Sequence, residues 1–388
     1  MKESKRLQDL QQLPQVIEHD ILLRLPVKSL IRFKLVTKEW CCLISSEDFV
    51  KAHLKWVNEI EDIRCAQLAI STYKKNSLSL YTMDCDSSNR DLVKIDFEEG
   101  YCHGRVKLVG SCNGLLLVYV PSNGLFLCNP STREYKKIEF STHPPYIIGG
   151  LGYDSTNKAY KAVITGNYTK DGSGSIGDNW ACEFSTTYVI IYNLKSDSWS
   201  KIDDFPYTFF HCEIPSMVNE APHWVVRRGR DYHPITYVII YLDLVNEKFK
   251  EVPLPDCLLK DNSKRFELGV LRGCLCISYK CDIDSYFEIW SMREYVVKES
   301  WTKLFVLTQP YISLRPLCFT RNYDEVIMHV NDEELVMFNL KGNTKRVLAF
   351  HPVDGDSYSL YPMEVVTYVE SLIFPEAQEG REAKGKTK

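Results

Sequence analysis

One motif recurs along most of this chain and limits what it can fold into. The segments LFLCNPSTREYKKI, IIYNLKSDSWSKI and IIYLDLVNEKFKEV each carry an apolar run that ends at Asn129, Asn193 or Asp243. An aromatic residue stands six positions on, at Tyr135, Trp199 and Phe249, and an aliphatic nine positions on, at Ile138, Ile202 and Val252. Asn and Asp form turns because their short side chains bond to the backbone just ahead of them. Each copy therefore predicts a strand, a tight turn and an outgoing strand. FEIWSMREYVVKESWTKLF, LVMFNLKGNTKRVLAF and LSLYTMDCDSSNRDLVKIDF are looser copies. Between Arg105 and Phe140 a whole unit can be parsed: RVKLVG, the turn SCNG, LLLVYV, the turn PSNG, LFLCN, the turn PSTR, and EYKKIEF. Four strands per unit and roughly 48 residues between most copies predict the blades of a β-propeller. The blades fall near 105–140, 146–202, 215–252, 266–305 and 314–350, with a three-stranded copy at 65–97. MEVVTYVESL, Met363–Leu372, is the natural fourth strand of that incomplete copy and predicts a six-bladed ring closed by the C-terminus.

The first sixty residues follow a different period. Ile17, Ile21 and Leu25 recur every fourth position, which places them on one face of a helix. Pro26 interrupts the pattern. Ser29 predicts the cap of a second helix carrying Leu30, Phe33 and Val36, and Thr37 the cap of a third carrying Trp40 and Leu43. Ser45 and Asp48 have the spacing of a capping box, which predicts a fourth helix from Glu47 to about Asn58 with Phe49, Val50, His53, Leu54 and Val57 on its apolar side. The expected fold class is thus α+β multidomain, a small helical unit followed by an all-β propeller. Its parts are a flexible terminus over 1–12, helices over 13–60, the propeller over 61–374 and a disordered polar tail over 375–388.

Composition narrows the function. The 388 residues carry a formal net charge of -4, which gives no general drive toward nucleic acid or an anionic membrane. No apolar run reaches the roughly 18 to 20 residues that span a bilayer, and the start of the chain lacks the apolar stretch of a signal peptide. The expected location is cytoplasmic, nuclear or both, and there the 14 cysteines read as small buried hydrophobes rather than a disulfide framework. Gly172 to Gly177 spells GSGSIG, yet no helix-forming run follows to hold a phosphate at its N-terminus, so a loop is expected. The nine histidines are scattered, with no HExxH pair and no CxxC pair at zinc spacing. No catalytic residue, metal site or cofactor is expected.

The helical segment resembles an F-box. The resemblance rests on Leu13-Pro14 ahead of a helix, the stretch from Ile21 to Leu25-Pro26, Leu30 and Phe33 on the next helix, and Val36, Lys38 and Trp40 on the third. GSCNGLLLV, LCNPSTREY, GLGYDSTNKAYKAV, IYNLKSDSW, ESWTKL and YVESL resemble, in order, the blocks of the F-box-associated and kelch-like domains of plant F-box proteins. The Gly-Gly doublet of true kelch blades is matched only by Gly149-Gly150. The resemblance implies a non-catalytic substrate-recognition subunit of an SCF-type cullin ubiquitin ligase, joined to cullin through a Skp-type adaptor and recruiting a protein target. It implies adaptor contacts at Leu13, Pro14, Ile17, Ile21, Leu25, Pro26, Leu30 and Phe33. A unit of this size cannot bury so much apolar surface alone, which agrees with a partner there. The long connections from second to third strand within a blade and from one blade to the next carry Trp180, Tyr207, Phe209, Phe210 and Tyr232, the expected target contacts on the face opposite the helices. A propeller enzyme, which needs converging ligands or carboxylates at the ring axis, and a scaffolding propeller are the alternative classes.

Overall fold

The computed structural model describes residues 15–59, 67–74, 77–85, 92–95, 106–120, 123–139, 147–169, 184–202, 205–209, 214–228, 236–259, 265–281, 286–308, 310–320, 322–342, 344–350 and 363–374. Four helices come first: α1 (Gln15–Leu23), α2 (Val27–Phe33), α3 (Lys38–Ser45) and α4 (Glu47–Glu59). Thr37 caps α3 as its sequence predicts, its hydroxyl accepting the Trp40 N–H at 3.1 Å. Two other caps differ from expectation. Pro26, not Ser29, occupies the N-cap of α2, where its fixed φ makes it a suitable lead-in. Ser46, not Ser45, caps α4, because Ser45 is spent as the last residue of α3 and the Ser46 hydroxyl takes the Phe49 N–H at 3.3 Å.

The remaining chain forms six sheets. Blade 1 holds β1 (Gln67–Lys74), β2 (Ser77–Asp84) and β3 (Val93–Ile95); blade 2 holds β4 (Lys107–Cys112), β5 (Leu115–Val120), β6 (Gly124–Asn129) and β7 (Glu134–Ile138). Blade 3 is β8 (Ile148–Asp154), β9 (Ala159–Thr169), β10 (Phe184–Asn193) and β11 (Ser198–Ile202). Blade 4 comprises β12 (Tyr207–Thr208), β13 (Ser216–Val218), β14 (Ala221–Arg228), β15 (Tyr237–Asp243) and β16 (Lys248–Val252), followed by a short helix α5 (Asp256–Leu259). Blade 5 is β17 (Phe266–Leu271), β18 (Cys274–Cys281), β19 (Tyr286–Met292) and β20 (Trp301–Thr308); blade 6 is β21 (Leu314–Phe319), β22 (Glu325–Val330), β23 (Glu334–Asn339) and β24 (Thr344–Phe350). The last strand, β25 (Glu364–Tyr368), returns to blade 1 and pairs antiparallel with β1, Gln67 opposite Tyr368 and Ser71 opposite Glu364. The ring closes as the sequence repeat predicts.

Closure is also visible in the core. Each gap between neighbouring blades is filled by its own apolar cluster, including the gap from blade 6 to blade 1, where Leu317, Ile327 and Leu335 meet Leu68, Met83 and Val365. The repeated Asn or Asp shapes the same turn in four blades. Asn129 accepts the Ser131 N–H at 2.8 Å, Asn193 that of Lys195 at 2.9 Å, Asp243 that of Val245 at 3.1 Å and Asn339 that of Lys341 at 3.1 Å. The following aromatic reaches across to the preceding blade, for Trp199 donates its indole N–H to the Glu139 carbonyl at 3.2 Å and Trp301 to the Pro253 carbonyl at 2.8 Å. One motif therefore shapes a turn within a blade and ties that blade to its neighbour. Gly150 lies where a side chain would meet Pro222 at 2.8 Å and Trp224 at 2.9 Å, so the doublet serves close blade packing.

Candidate docking surfaces

The helices build a small core from Leu22, Val27, Leu30, Ile44, Phe49 and Val50. His53 fastens α4 to the turn after α1 through Nε2 and the Leu25 carbonyl, 2.9 Å apart, and burial holds its imidazole below the ordinary value. The Trp40 indole N–H donates to the Glu18 carboxylate, joining α3 to α1, and the Phe33 and Trp40 rings stand 5.2 Å apart. What remains outside is strongly apolar: Val16 is 73% exposed, Ile17 and Ile21 each 47%, Leu35 88% and Val36 58%.

The sequence-predicted contacts divide accordingly. Ile17 and Ile21 face solvent, Pro26 is exposed, and Leu25 and Phe33 are half-buried beside the core. Leu30 is fully buried among Leu22, Val27 and Ile44, so it belongs to the core and presents nothing to a partner. Leu13 and Pro14 lie outside the described residues. Leu35 and Val16 were not expected at the surface patch. Leu35 follows the end of α2, where helical periodicity no longer says which way a side chain faces.

The helical core is completed from the far end of the chain. Leu372, four residues beyond β25, is 5% exposed within the helical cluster, and Ile373 packs against both that cluster and the core between blades 2 and 3. Ser371 is fully buried, and the Asn129 side-chain amide donates to the Ser371 carbonyl at 3.0 Å and the Ile373 carbonyl at 2.8 Å. Lys28 pairs with Glu370 at 3.1 Å. Gly114, at φ 85°, leaves the space that Ser371 fills; a Cβ there would stand 2.2 Å from the serine hydroxyl. All these contacts gather at the ends of inner strands and at the tight turns, so the helices sit on that face of the ring.

The opposite face carries the starts of the inner strands and the ends of the strands flanking the long connections, such as Thr169 and Phe184, and Arg228 and Thr236. Of the expected target contacts there, Trp180, Phe210 and Tyr232 lie outside the described residues, as does the GSGSIG segment. Phe209 is 3% exposed, stacked on Phe205 at 5.3 Å and edge-on to Trp224, which makes it an anchor of its loop rather than a free contact. Tyr207 is half-buried, its hydroxyl donating to Glu251 at 3.1 Å, and burial together with the Glu251 charge pushes it up to about 12. Among the described residues no group of three His, Cys, Asp or Glu side chains is placed to hold a metal, and no helix is long and apolar enough to cross a membrane.

The F-box associated beta propeller domain matches residues 68–374, which spans the whole ring including β25 and the segment that reaches the helices. The chain belongs to that family. An F-box domain matches residues 10–52, the helical segment. Curated relatives share this arrangement of lengths. The F-box protein CPR1 of Arabidopsis thaliana is 29% identical over 96% of this chain and 94% of its own. An F-box/kelch-repeat protein of the same plant is 28% identical over 79% of this chain and 82% of its own. The F-box therefore stands on one face of this chain's six-bladed propeller, held there by the C-terminal segment.

Proposed function

We propose that this chain is the substrate-recognition subunit of an SCF-type cullin ubiquitin ligase: the F-box engages a Skp-type adaptor, and through it cullin, while the propeller holds a protein target. The observation that carries the reading is the apolar patch of Val16, Ile17, Ile21, Leu35 and Val36 on a helical unit that already has its own core. So much exposed aliphatic surface on so small a unit favours a partner protein over solvent. The subunit contributes no bond-making chemistry; it acts by holding target and ligase together, which raises the effective concentration of one near the other. Such a protein works in the cytoplasm or nucleus. Since the helices occupy the tight-turn face, the face with the long connections is left for the target.

Titration calorimetry of the full chain with a Skp-type adaptor tests the proposal. Ile21→Asp combined with Leu35→Asp should weaken binding by about a hundredfold, since each buried aliphatic contributes about 1.5 to 3 kcal/mol. Both side chains are exposed, so the melting temperature should not move. An affinity unchanged by the pair of substitutions would refute the assignment of this surface.

A further inference from the structure

At the end of the ring away from the helices, the inner strands carry charge at a level where apolar packing is the rule elsewhere. Lys107 opens β4 of blade 2 and Glu364 opens β25 of blade 1. Arg315 is the second residue of β21 in blade 6, and Glu267 the second of β17 in blade 5. Across four consecutive blades the signs thus alternate. Lys107, Glu364 and Glu267 are 5%, 7% and 9% exposed.

Most of these groups are engaged. The Glu364 carboxylate accepts the Leu108 N–H at 2.7 Å. Arg315 donates to the Val365 carbonyl at 2.7 Å and stands 3.4 Å from His329 Nδ1, and Arg265 donates to Glu267 at 3.1 Å. Lys107 differs, for its buried ammonium has no hydrogen-bond partner among the described residues. The same holds for the Thr165 hydroxyl, the Ser278 hydroxyl and His329 Nε2, on side chains 1%, 1% and 3% exposed. These three lie on the second strands of blades 3, 5 and 6, in register with Ile148, Glu267 and Arg315, and hence at the same level of the ring. Four of the seven such atoms among the described residues collect at this one end of the axis.

An ammonium has three donors and no acceptor, and burying it without an acceptor is costly, so the cluster is incomplete as it stands. The contacts already made say what would complete it. Among the described residues, Lys107, Arg315 and Arg265 share this end with three carboxylates, but Glu364 is turned to the Leu108 N–H, Glu267 to Arg265, and Asp332 lies 3.7 Å from His329 Nδ1. Burial also pushes Glu267 up, which weakens its charge. Among these residues the Lys107 ammonium is the cation left without an acceptor. We propose that this end of the ring axis receives an acidic side chain, Asp or Glu, of the polypeptide held by the propeller, with the Lys107 ammonium as counter-ion and the Thr165 hydroxyl of the adjoining blade as a second donor. The inference rests on the propeller being the target-holding part of the chain. It places the anchoring group at the centre of the face that the F-box leaves open.

Fluorescence polarisation with two labelled peptides capped at both ends, hexaglutamate and hexaglutamine, tests this on the full chain. The wild type should bind hexaglutamate at least tenfold tighter. Lys107→Met should abolish about tenfold or more of that preference, as expected for loss of a charge-assisted hydrogen bond, while raising the melting temperature because an unpaired buried charge is gone. Lys248→Met, on the exposed outer strand of blade 4, should change neither. If Lys107→Met does not fold, Thr165→Val serves instead, with an expected loss of about fivefold. Equal binding of the two peptides by the wild type, or a stabilised Lys107→Met that keeps the full preference, overturns the inference. Adaptor titration is read separately, so a chain that binds adaptor but not hexaglutamate loses only the axial site, and the reverse result removes the ligase reading alone.

Discussion

Asn129 and Ser371, 242 positions apart, are joined by a 3.0 Å hydrogen bond from the asparagine amide to the serine carbonyl. The same side chain shapes the turn after β6 with its oxygen and holds the C-terminal segment against the helices with its nitrogen. Asp243 fills the equivalent turn position in blade 4, so a carboxylate satisfies the turn. Asn129→Asp should therefore keep the turn but oppose the two carbonyls with negative charge. Unfolding in urea should show a loss of about 1 to 3 kcal/mol, with faster amide exchange in α2 and α3. Asn193→Asp in blade 3, where the turn has no such second duty, should cost less than half as much.

Leu372→Ala should act at a distance from the apolar patch. The substitution opens a cavity in the cluster of Leu22, Leu30 and Ile44, and losses of this kind run to about 2 to 5 kcal/mol. Because the helical core is small, the loss should be felt there first. Adaptor affinity should fall at least severalfold although residue 372 lies in the core rather than on the surface, and added Ile17→Asp should give less than the sum of the two separate losses. Wild-type affinity in Leu372→Ala would show that the F-box holds its shape unaided.

Truncation separates closure from tail. Ending the chain after residue 362 removes β25 and leaves the edge of β1 unpaired, an invitation to aggregate, and it empties the F-box core of Leu372. Ending it after Phe374 removes neither. Light scattering and thermal melts should find the shorter chain aggregated and the longer one indistinguishable from the full protein. A monomeric, cooperatively melting chain ending at 362 would mean that the ring does not depend on β25.

The ring was legible because its repeat couples two local signals, a turn-forming Asn or Asp and an aromatic at a fixed distance, and both follow backbone geometry that any blade must satisfy. The start of α4 was legible to within a residue, since Ser45 and Ser46 offer the same chemistry and tertiary packing chooses between them, whereas the cap of α2 lies three residues ahead of the expected one because Pro26 can lead into a helix. Leu30 illustrates a limit of another kind. Resemblance assigned it to the partner, but an apolar residue on so short a helix cannot be sorted into core or surface without the neighbours that bury it. Those neighbours include Leu372, at the other end of the chain, which no local pattern could supply. Phe209 went the same way, since an aromatic in a loop reads alike whether it anchors the loop or waits for a ligand. The charged ring was hidden for a related reason: Lys107, Glu267, Arg315 and Glu364 are unremarkable singly, and only the closure of the blades brings them to one level.

Mild acid should destabilise the protein before its carboxylates titrate, and His223 is the residue to watch. It is fully buried, its Nδ1 2.9 Å from the Ala221 carbonyl and its Nε2 2.8 Å from the Tyr295 hydroxyl, an arrangement that a neutral ring satisfies by donating from one nitrogen and accepting at the other. Burial lowers it from 6.5 to about 4. The unfolded chain therefore binds a proton more readily than the folded one between these values, and stability contributed by the neutral ring is present above pH 6.5 and lost as pH falls toward 4. From pH 7 to pH 5 the loss from this one group is about 2 kcal/mol. His53 and His329 are lowered by burial as well and act in the same direction, whereas buried Glu267, which is raised, opposes them. His223→Gln keeps a donor and an acceptor but cannot titrate. Its melting temperature should be below that of the wild type at pH 7, with the gap narrowing or closing at pH 5; a gap that stays constant across the range would show that His223 does not titrate in this window.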